Sequence, residues 1–189
     1  MNVLMLAGLL LLFVLLFTLI IFFFVFLLDS VLFSHDLPTS KRAIKALIVA
    51  ISQHKPGAKN FFDLGCARGT VILEIKKNLP QFDVYGIDNN SVRIFFAKIK
   101  AKFLKRKINF QKQDIFQTDL KDADIIYTYL WYDRMPPLEE KLQKELKSGA
   151  VVITNTSNFP NWKPDQKIIT YNGPSKLPNF ETLFVYLKK

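Results

Sequence analysis

The chain is poor in the residues that staple a fold, ligate a metal or attack a carbonyl. Among 189 residues it has one cysteine, Cys66, and two histidines, His35 and His54. A single cysteine excludes an intrachain disulfide and agrees with a reducing compartment. His35 and His54 have no partner at a metal-binding or catalytic spacing, so no metal site is expected and Cys66 is a poor candidate for a nucleophile. Acids are also scarce, 16 against 26 lysines and arginines, which leaves a formal charge of +10. No internal repeat and no long disordered tract is present. Glycine is sparse too. The one glycine loop is followed by neither Lys-Ser nor Lys-Thr, which excludes a P-loop, and it lacks the three-glycine spacing of a dinucleotide fingerprint.

Charge is absent altogether from Val3 to Leu28, where Thr18 is the one clearly polar residue. A run of about 20 apolar residues suffices to cross a bilayer, so this segment reads as a transmembrane helix. A cleaved signal peptide would need a basic start, an apolar core of about 7–15 residues and small residues at a cleavage site. This segment has no Lys or Arg before it, is too long, and ends Phe24-Val25-Phe26-Leu27-Leu28. A buried soluble helix ranks below both, since the run is apolar on every face. The first basic cluster, Lys41, Arg42 and Lys45, follows the span, so positive-inside orientation places the remainder in the cytoplasm. The expected organisation is an anchor over 1–28, a linker over 29–38 containing His35 and Asp36, and one domain over 39–189.

What is there is centred on Phe61-Phe62-Asp63-Leu64-Gly65-Cys66-Ala67-Arg68-Gly69-Thr70. Apolar residues lead into an acid, two glycines bracket a turn, and a helical stretch follows. This is a strand, loop and helix of the kind that binds a nucleotide-like cofactor at the carboxyl end of a parallel strand. An acid before the glycines would repel a pyrophosphate and suit a cationic ligand. An ordinary strand-to-helix turn is the plainer alternative. Asp83-Val84-Tyr85-Gly86-Ile87-Asp88 then reads as a strand ending in an acid about 20 residues past the loop, where a carboxylate can hold ribose hydroxyls. Asn89-Asn90 can cap the next helix. A third acid, Asp114, follows a strand at Ile108–Gln111, with Ile115 next to it.

The region from 39 onward alternates strand and helix. Thr39 or Ser40 caps a helix from Lys41 to about Ser52. Strands are expected near Asn60–Leu64, Phe82–Ile87, Ile108–Gln111, Asp124–Leu130 and Gly149–Asn155. Helices are expected over Thr70–Asn78, Ser91–Arg106 and Pro136–Lys147. Two closing strands, Gln166–Tyr171 and Phe180–Leu187, have no helix between them. The pattern predicts an α/β fold, a mostly parallel Rossmann-like sheet with an antiparallel edge.

Two further features bear on partners. The helix Ser91–Arg106 carries Arg93, Lys98, Lys100, Lys102, Lys105 and Arg106. Beside an anchor, anionic lipid headgroups rank first as its partner, a solvated surface with Ile94, Phe95, Ile99 and Phe103 facing the sheet second, and nucleic acid third. Tyr127-Thr128-Tyr129-Leu130-Trp131-Tyr132 ends a strand without the Asp/Asn-Pro-Pro-Tyr signature of nucleobase-amine methylation. Its rings can attract a cation and guide an amine.

The loop resembles motif I of the class I S-adenosylmethionine (SAM) methyltransferases. The chain as a whole resembles the small membrane-anchored protein-lysine methyltransferases of that class, whose members act on the ATP synthase c-ring protein and the adenine nucleotide translocase. The likeness is carried by the N-terminal span, Pro38-Thr39, Asp63-Leu64-Gly65, Gly86-Ile87-Asp88-Asn89, Asp114 to Leu120, Tyr129-Leu130, Leu138 to Leu142 and Phe159 to Pro164. It implies SAM as cofactor. Gly65, Cys66, Ala67 and Gly69 would form its loop, with Asp63 beside the methionine end. Asp88 with Asn89 would lie at the ribose, Asp114 with Ile115 at the adenine, and Tyr129 and Trp131 in the acceptor pocket. It implies a protein lysine as substrate; a lipid or small-metabolite acceptor and a non-catalytic module stand as alternatives. The chain departs from the family in having Ala67 for glycine, Arg68 for an acid and Asp88 for glutamate.

Overall fold

The computed structural model describes residues 2–32, 38–175 and 177–189. They belong to two units, Met1–Leu37 and Pro38–Lys189. Among the described residues the first holds one helix, α1 (Val3–Leu32), with a 26-residue stretch, Val3–Leu28, long and apolar enough to cross a membrane. Large apolar side chains such as Leu11, Phe13 and Phe23 are exposed. Its one mid-span hydroxyl, Thr18, donates to the Val14 carbonyl at 2.7 Å, so it carries no unsatisfied donor. The expected linker falls partly on residues 29–32, which continue the helix, and on 33–37, which lie outside the described residues together with His35 and Asp36.

The second unit is built on a seven-stranded sheet. Its helices and strands in chain order are α2 (Lys41–His54), β1 (Asn60–Leu64), α3 (Thr70–Asn78), β2 (Asp83–Asp88), α4 (Ser91–Phe103), β3 (Asn109–Lys112), β4 (Ile125–Thr128), α5 (Met135–Glu145), β5 (Val151–Asn155), β6 (Gln166–Ile169) and β7 (Thr182–Leu187). A single 3₁₀ turn, Tyr132–Arg134, precedes α5. The strand order is β3-β2-β1-β4-β5-β7-β6. The first five are parallel, and β7 runs antiparallel to both its neighbours. The expected Rossmann-like sheet with an antiparallel edge is therefore present.

Each strand of the sheet centre is apolar on both faces, as a sheet covered on both sides requires. Phe61, Ile125, Tyr127, Val151 and Ile153 join α2, α3 and α4 in one core. Phe62, Leu64, Ile126 and Val152 join α5 and Phe159 in the other. The segment quoted for its family likeness, Phe159 to Pro164, is used structurally. Phe159 and Trp162 stack at 5.7 Å, both rings lie on Tyr186, and the Phe159 amide donates to the Tyr186 hydroxyl.

β1 and α3 have the expected bounds, the ends of other elements differ from expectation by up to three residues, and one face differs in kind. The sheet-facing side of α4 is Ile94, Ala97 and Ala101; of the four residues that the solvated-surface alternative turns to the sheet, Ile94 lies there and Ile99 is half-buried, but not Phe95 and Phe103. They are 45% and 83% exposed. The small residues win because the helix lies close to the loop: a Cβ on Gly69 would come within 3.3 Å of the Ala97 Cβ. α4 also ends at Phe103, before Arg106, and Lys105 takes a positive φ of 52° just beyond it.

Candidate active site

Parallel register brings the carboxyl ends of five strands together. Leu64 lies opposite Ile87 and Thr128, Asp88 opposite Lys112, and Thr128 opposite Thr154. In open parallel sheets the ligand crevice forms at this edge, at the point where strand order reverses. Here the reversal falls between β1 and β4.

The loop after β1 turns through three positive-φ residues, Gly65 at 84°, Ala67 at 46° and Gly69 at 75°. Gly65 and Cys66 both donate their amides to the Ile87 carbonyl at 2.9 Å, pinning the loop to β2. Gly65 is needed for space as well as conformation, since a Cβ there would sit 2.9 Å from Leu130 Cδ2. Leu130 separates Tyr129 from Trp131, so the expected cofactor loop and the expected acceptor segment abut. Ala67 holds a left-handed conformation that L-residues other than glycine, asparagine and aspartate avoid, which gives a physical reason for glycine at this position in the resembled family.

Asp88 is buried and its two carboxylate oxygens point different ways. Oδ2 accepts the Ala67 amide at 2.9 Å, and Oδ1 accepts the Asn90 amide at 2.8 Å. Asn90 in turn caps α4 by accepting from Val92 and Arg93. Asp88 thus ties loop to helix, and each oxygen keeps a lone pair that these two bonds do not use. Asn89 is exposed between these two anchoring residues.

Asp63 is buried on the strand face it shares with Phe61 and Tyr127. Burial, with the nearby Asp88 charge adding to it, pushes its carboxyl up to about 8. A carboxyl so placed is neutral at pH 7 and becomes ionised when a cation arrives beside it. Burial likewise pushes the Cys66 thiol up, with Asp63 and Asp88 contributing, so Cys66 is a small buried loop residue and not a thiolate nucleophile. Among the described residues no cluster of His, Cys, Asp and Glu could hold a metal. Asp114 is exposed just past β3; its carboxylate accepts the Phe116 amide at 3.0 Å and its carbonyl accepts the Thr118 hydroxyl. Ile115 is half-buried against the second core.

The other side of the crevice holds the aromatic segment, whose members separate in role. Tyr127 is wholly buried, its hydroxyl sharing a 2.9 Å hydrogen bond with Thr39 Oγ1 and accepting from Asn155 Nδ2 at 3.3 Å. Tyr129 is half-buried, and burial holds its hydroxyl above the usual phenol range. Trp131 and Tyr132 are exposed, and the Tyr132 hydroxyl donates to the Pro178 carbonyl at 2.8 Å.

Glu181 and Thr156, which no sequence motif marks, complete this side with Ser40. Glu181, buried, accepts the Ser40 amide at 3.1 Å and the Ser40 hydroxyl at 2.8 Å, while Ser40 Oγ caps α2 by accepting from Ala43. Its own amide donates to Thr156 Oγ1 at 3.1 Å. Thr156 and Glu181 both have positive φ, 66° and 50°. Strained non-glycine residues of this kind persist where surrounding contacts over-determine them. Thr39 and Ser40 carry a local signal, the cap of α2 and, at Pro38-Thr39, the family likeness, but neither names Glu181 or Tyr127 as a partner. Glu181 stands 141 residues from Ser40 and left no local pattern.

The donor set fits SAM: a glycine-bounded turn and two buried carboxylates, Asp63 and Asp88, suited to a cationic ligand. Comparison with known proteins agrees. The chain is 26% identical over 141 residues to a protein-lysine N-methyltransferase of Saccharolobus islandicus, covering 72% of this chain and 85% of that one. It is 28% identical to a carboxy-S-adenosyl-L-methionine synthase of Nautilia profundicola and 25% identical to the ATP synthase C-subunit lysine N-methyltransferase of Rattus norvegicus. These matches cover 74% and 68% of this chain but only 57% and 58% of those relatives. Among solved structures it resembles an RNA methyltransferase from Salinibacter ruber in complex with S-adenosyl-L-homocysteine, with TM-score 0.68 and 18% identity over 80% of this chain and 93% of that one, a likeness of fold. The family that matches, over residues 63–166, is the ANTKMT methyltransferase domain. The chain belongs to that family and is a SAM-dependent methyltransferase.

Proposed function

We propose that this chain transfers a methyl group from SAM to a lysine of a protein substrate, and that it does so anchored in a membrane with its domain on the cytoplasmic side. The observation that carries the lysine reading is the match to a lysine methyltransferase over 85% of that relative's length. The anchoring rests on Val3–Leu28, and the orientation on Lys41, Arg42 and Lys45 after it.

When bound, SAM supplies a methyl group on a sulfonium, open to in-line displacement by a neutral amine. The chain supplies position. Gly65, Cys66, Ala67 and Gly69 form the cradle; Asp63 neutralises the cationic methionine end; Asp88, supported by Asn89, accepts from the ribose; Asp114 and Ile115 border the adenine. Tyr129 and Trp131 receive the lysine as its ammonium, which their ring faces favour, and the amine attacks once that proton has passed to solvent. No side chain is required as an obligatory base, so the acceleration comes mainly from alignment.

The match to carboxy-S-adenosyl-L-methionine synthases favours a second reading, a small-molecule reaction at the same site. Incubating membranes that carry the full chain with methyl-labelled SAM separates the two. Label recovered as methyl-lysine after protein hydrolysis supports the first. Label confined to lipid extract or small metabolites overturns it.

A further inference from the structure

The face that α4 turns away from the sheet is not a conventional solvated face. Phe95, Ile99 and Phe103 recur every fourth residue and so form one stripe along the helix. Phe103 is 83% exposed and Leu104, in the turn after it, 49%. On helical geometry Lys98 and Lys102 flank one side of this stripe and Lys100 the other. Lys105 and Lys107 follow beyond the helix end, and all five lysines lie at least partly in solvent. α4 contains no acid. Of the remaining basic residues, Arg106 turns inward, donating to the Leu73 carbonyl at 2.8 Å with Glu74 at 3.9 Å, and so does not belong to the patch.

We propose that this face of α4 is a second membrane contact, which seats the methyltransferase domain on an anionic lipid surface. An interfacial helix combines an apolar stripe that enters the headgroup boundary with flanking lysines whose stems lie along the apolar surface while their ammonium groups reach lipid phosphates. Here both parts are present on one helix, and the absence of acids makes the charge complementary to an anionic leaflet. Duplex nucleic acid would satisfy the lysines through its phosphates but would leave Phe103 and Leu104 in water, and a single strand could stack on Phe103 but not on aliphatic Leu104. The inference goes beyond the anchored reading and rests on it in one respect: the α1 span keeps the domain beside a bilayer, so a weak surface contact suffices. The consequence is orientation. A tether alone lets the domain tumble, whereas a tether and a seated helix hold one side of the domain against the bilayer and reduce the search for a membrane-embedded acceptor.

The test uses the full chain reconstituted in vesicles. Cys66 is buried and its thiol is held protonated, so an introduced cysteine takes up an environment-sensitive thiol label selectively. Leu104→Cys reports on the α4 face, and Glu140→Cys on exposed α5, at the opposite face of the sheet, is the control. In phosphatidylglycerol vesicles the label at 104 is expected to shift to the blue and to be quenched by lipids spin-labelled near the headgroup, while the label at 140 is not. Adding Phe103→Ser with Lys98→Glu, Lys102→Glu and Lys105→Glu is expected to abolish that quenching, as are purely zwitterionic vesicles. Retention of the protein after carbonate washing reads the α1 span separately. Retained protein whose label at 104 behaves like the label at 140 overturns this inference and leaves the anchor standing. Quenching at 104 in protein that carbonate extracts supports this inference and overturns the anchor. A label at 104 that is shielded only on adding a protein substrate overturns it in favour of a protein-docking face.

Discussion

The carboxylate of Asp88 accepts the amide of Ala67 across 2.9 Å, joining the end of β2 to the midpoint of the glycine loop. The same carboxylate accepts from Asn90. One buried side chain therefore shapes the cradle and positions the cap of α4, in addition to the ribose contact proposed for it.

Replacing Asp88 by alanine leaves two amides without their acceptor. Hydrogen bonds to a charged group are each worth about 1.5–3 kcal/mol, so Asp88→Ala is expected to lower stability by at least about 2 kcal/mol and to abolish SAM binding. Asp88→Asn keeps an acceptor for one amide but turns a donor toward the other, so it is expected to fall between the two. Denaturant titration and calorimetric SAM binding on the same samples check this. Unchanged stability in Asp88→Ala would show that the loop holds its shape without the carboxylate.

Ala67 gives a prediction of opposite sign. A left-handed conformation costs an L-residue about 1–2 kcal/mol, and glycine returns part of that gain through greater chain entropy, about 0.5–1 kcal/mol. Ala67→Gly is expected to stabilise the domain by about 0.5–1 kcal/mol and to leave SAM binding intact or tighter. A stability loss in denaturant titration would mean that the methyl group packs usefully in the crevice.

Asp63 links the site to pH. Its ordinary carboxyl value is 3.8, and in the fold it stands at about 8. Between those values the folded chain holds a proton that the unfolded chain has lost. Stability contributed at low pH is therefore lost as pH rises across this window. Asp63→Asn is expected to remove that slope, gaining in melting temperature relative to the parent more at pH 9 than at pH 5. Because a cationic ligand favours the ionised form, SAM binding at pH 7 is expected to release a proton. Calorimetry in buffers of different ionisation enthalpy measures it, and a buffer-independent enthalpy would count against the placement of Asp63 beside the cation.

Much of this was legible in sequence because it is local. The glycine loop, the acid at the end of β2 and the Ser40 cap each announce themselves within a few residues, and alternation of strand and helix sets the sheet. What was not legible is what depends on distance or on size. Glu181 reaches Ser40 from the far end of the chain. Tyr127 and Tyr129 alternate along one segment, yet the first is locked in the core by Thr39 and Asn155 and the second reaches only half-burial. On α4, counting large apolar residues selects the outer face, because beyond Ile94 the inner face is made of alanines, Ala97 and Ala101, that allow close approach.

Glu181 is expected to act as a distant helix cap. It accepts both the amide and the hydroxyl of Ser40, with Arg42 at 3.9 Å. Arg42 is 65% exposed, so the loss falls on the Ser40 amide and hydroxyl, and a hydrogen bond to a charged group is worth about 1.5–3 kcal/mol. Glu181→Ala should approach that cost, and Glu181→Gln, which preserves one acceptor, should cost about half. Hydrogen exchange resolves where the loss falls: protection should drop in the first turn of α2 before it drops in β1. A uniform loss across the domain would mean that Glu181 supports the fold generally and not this junction.

Trp131 separates acceptor handling from cofactor binding. It is 43% exposed at the end of the β4 segment, so its removal disturbs little of either core. A cation over an indole face is worth about 0.5–2 kcal/mol, or roughly twofold to thirtyfold in kcat/KM for the acceptor. Trp131→Ala is expected to lose activity within that range with SAM affinity unchanged, and Trp131→Phe to retain part of it. Tyr129→Phe, which removes the hydroxyl and keeps the ring face, should cost less than Trp131→Ala. If Trp131→Ala weakens SAM binding instead, the residue belongs to the cofactor side of the crevice. If it changes neither, the acceptor enters elsewhere, and the aromatic segment serves only to close the sheet end beneath Leu130.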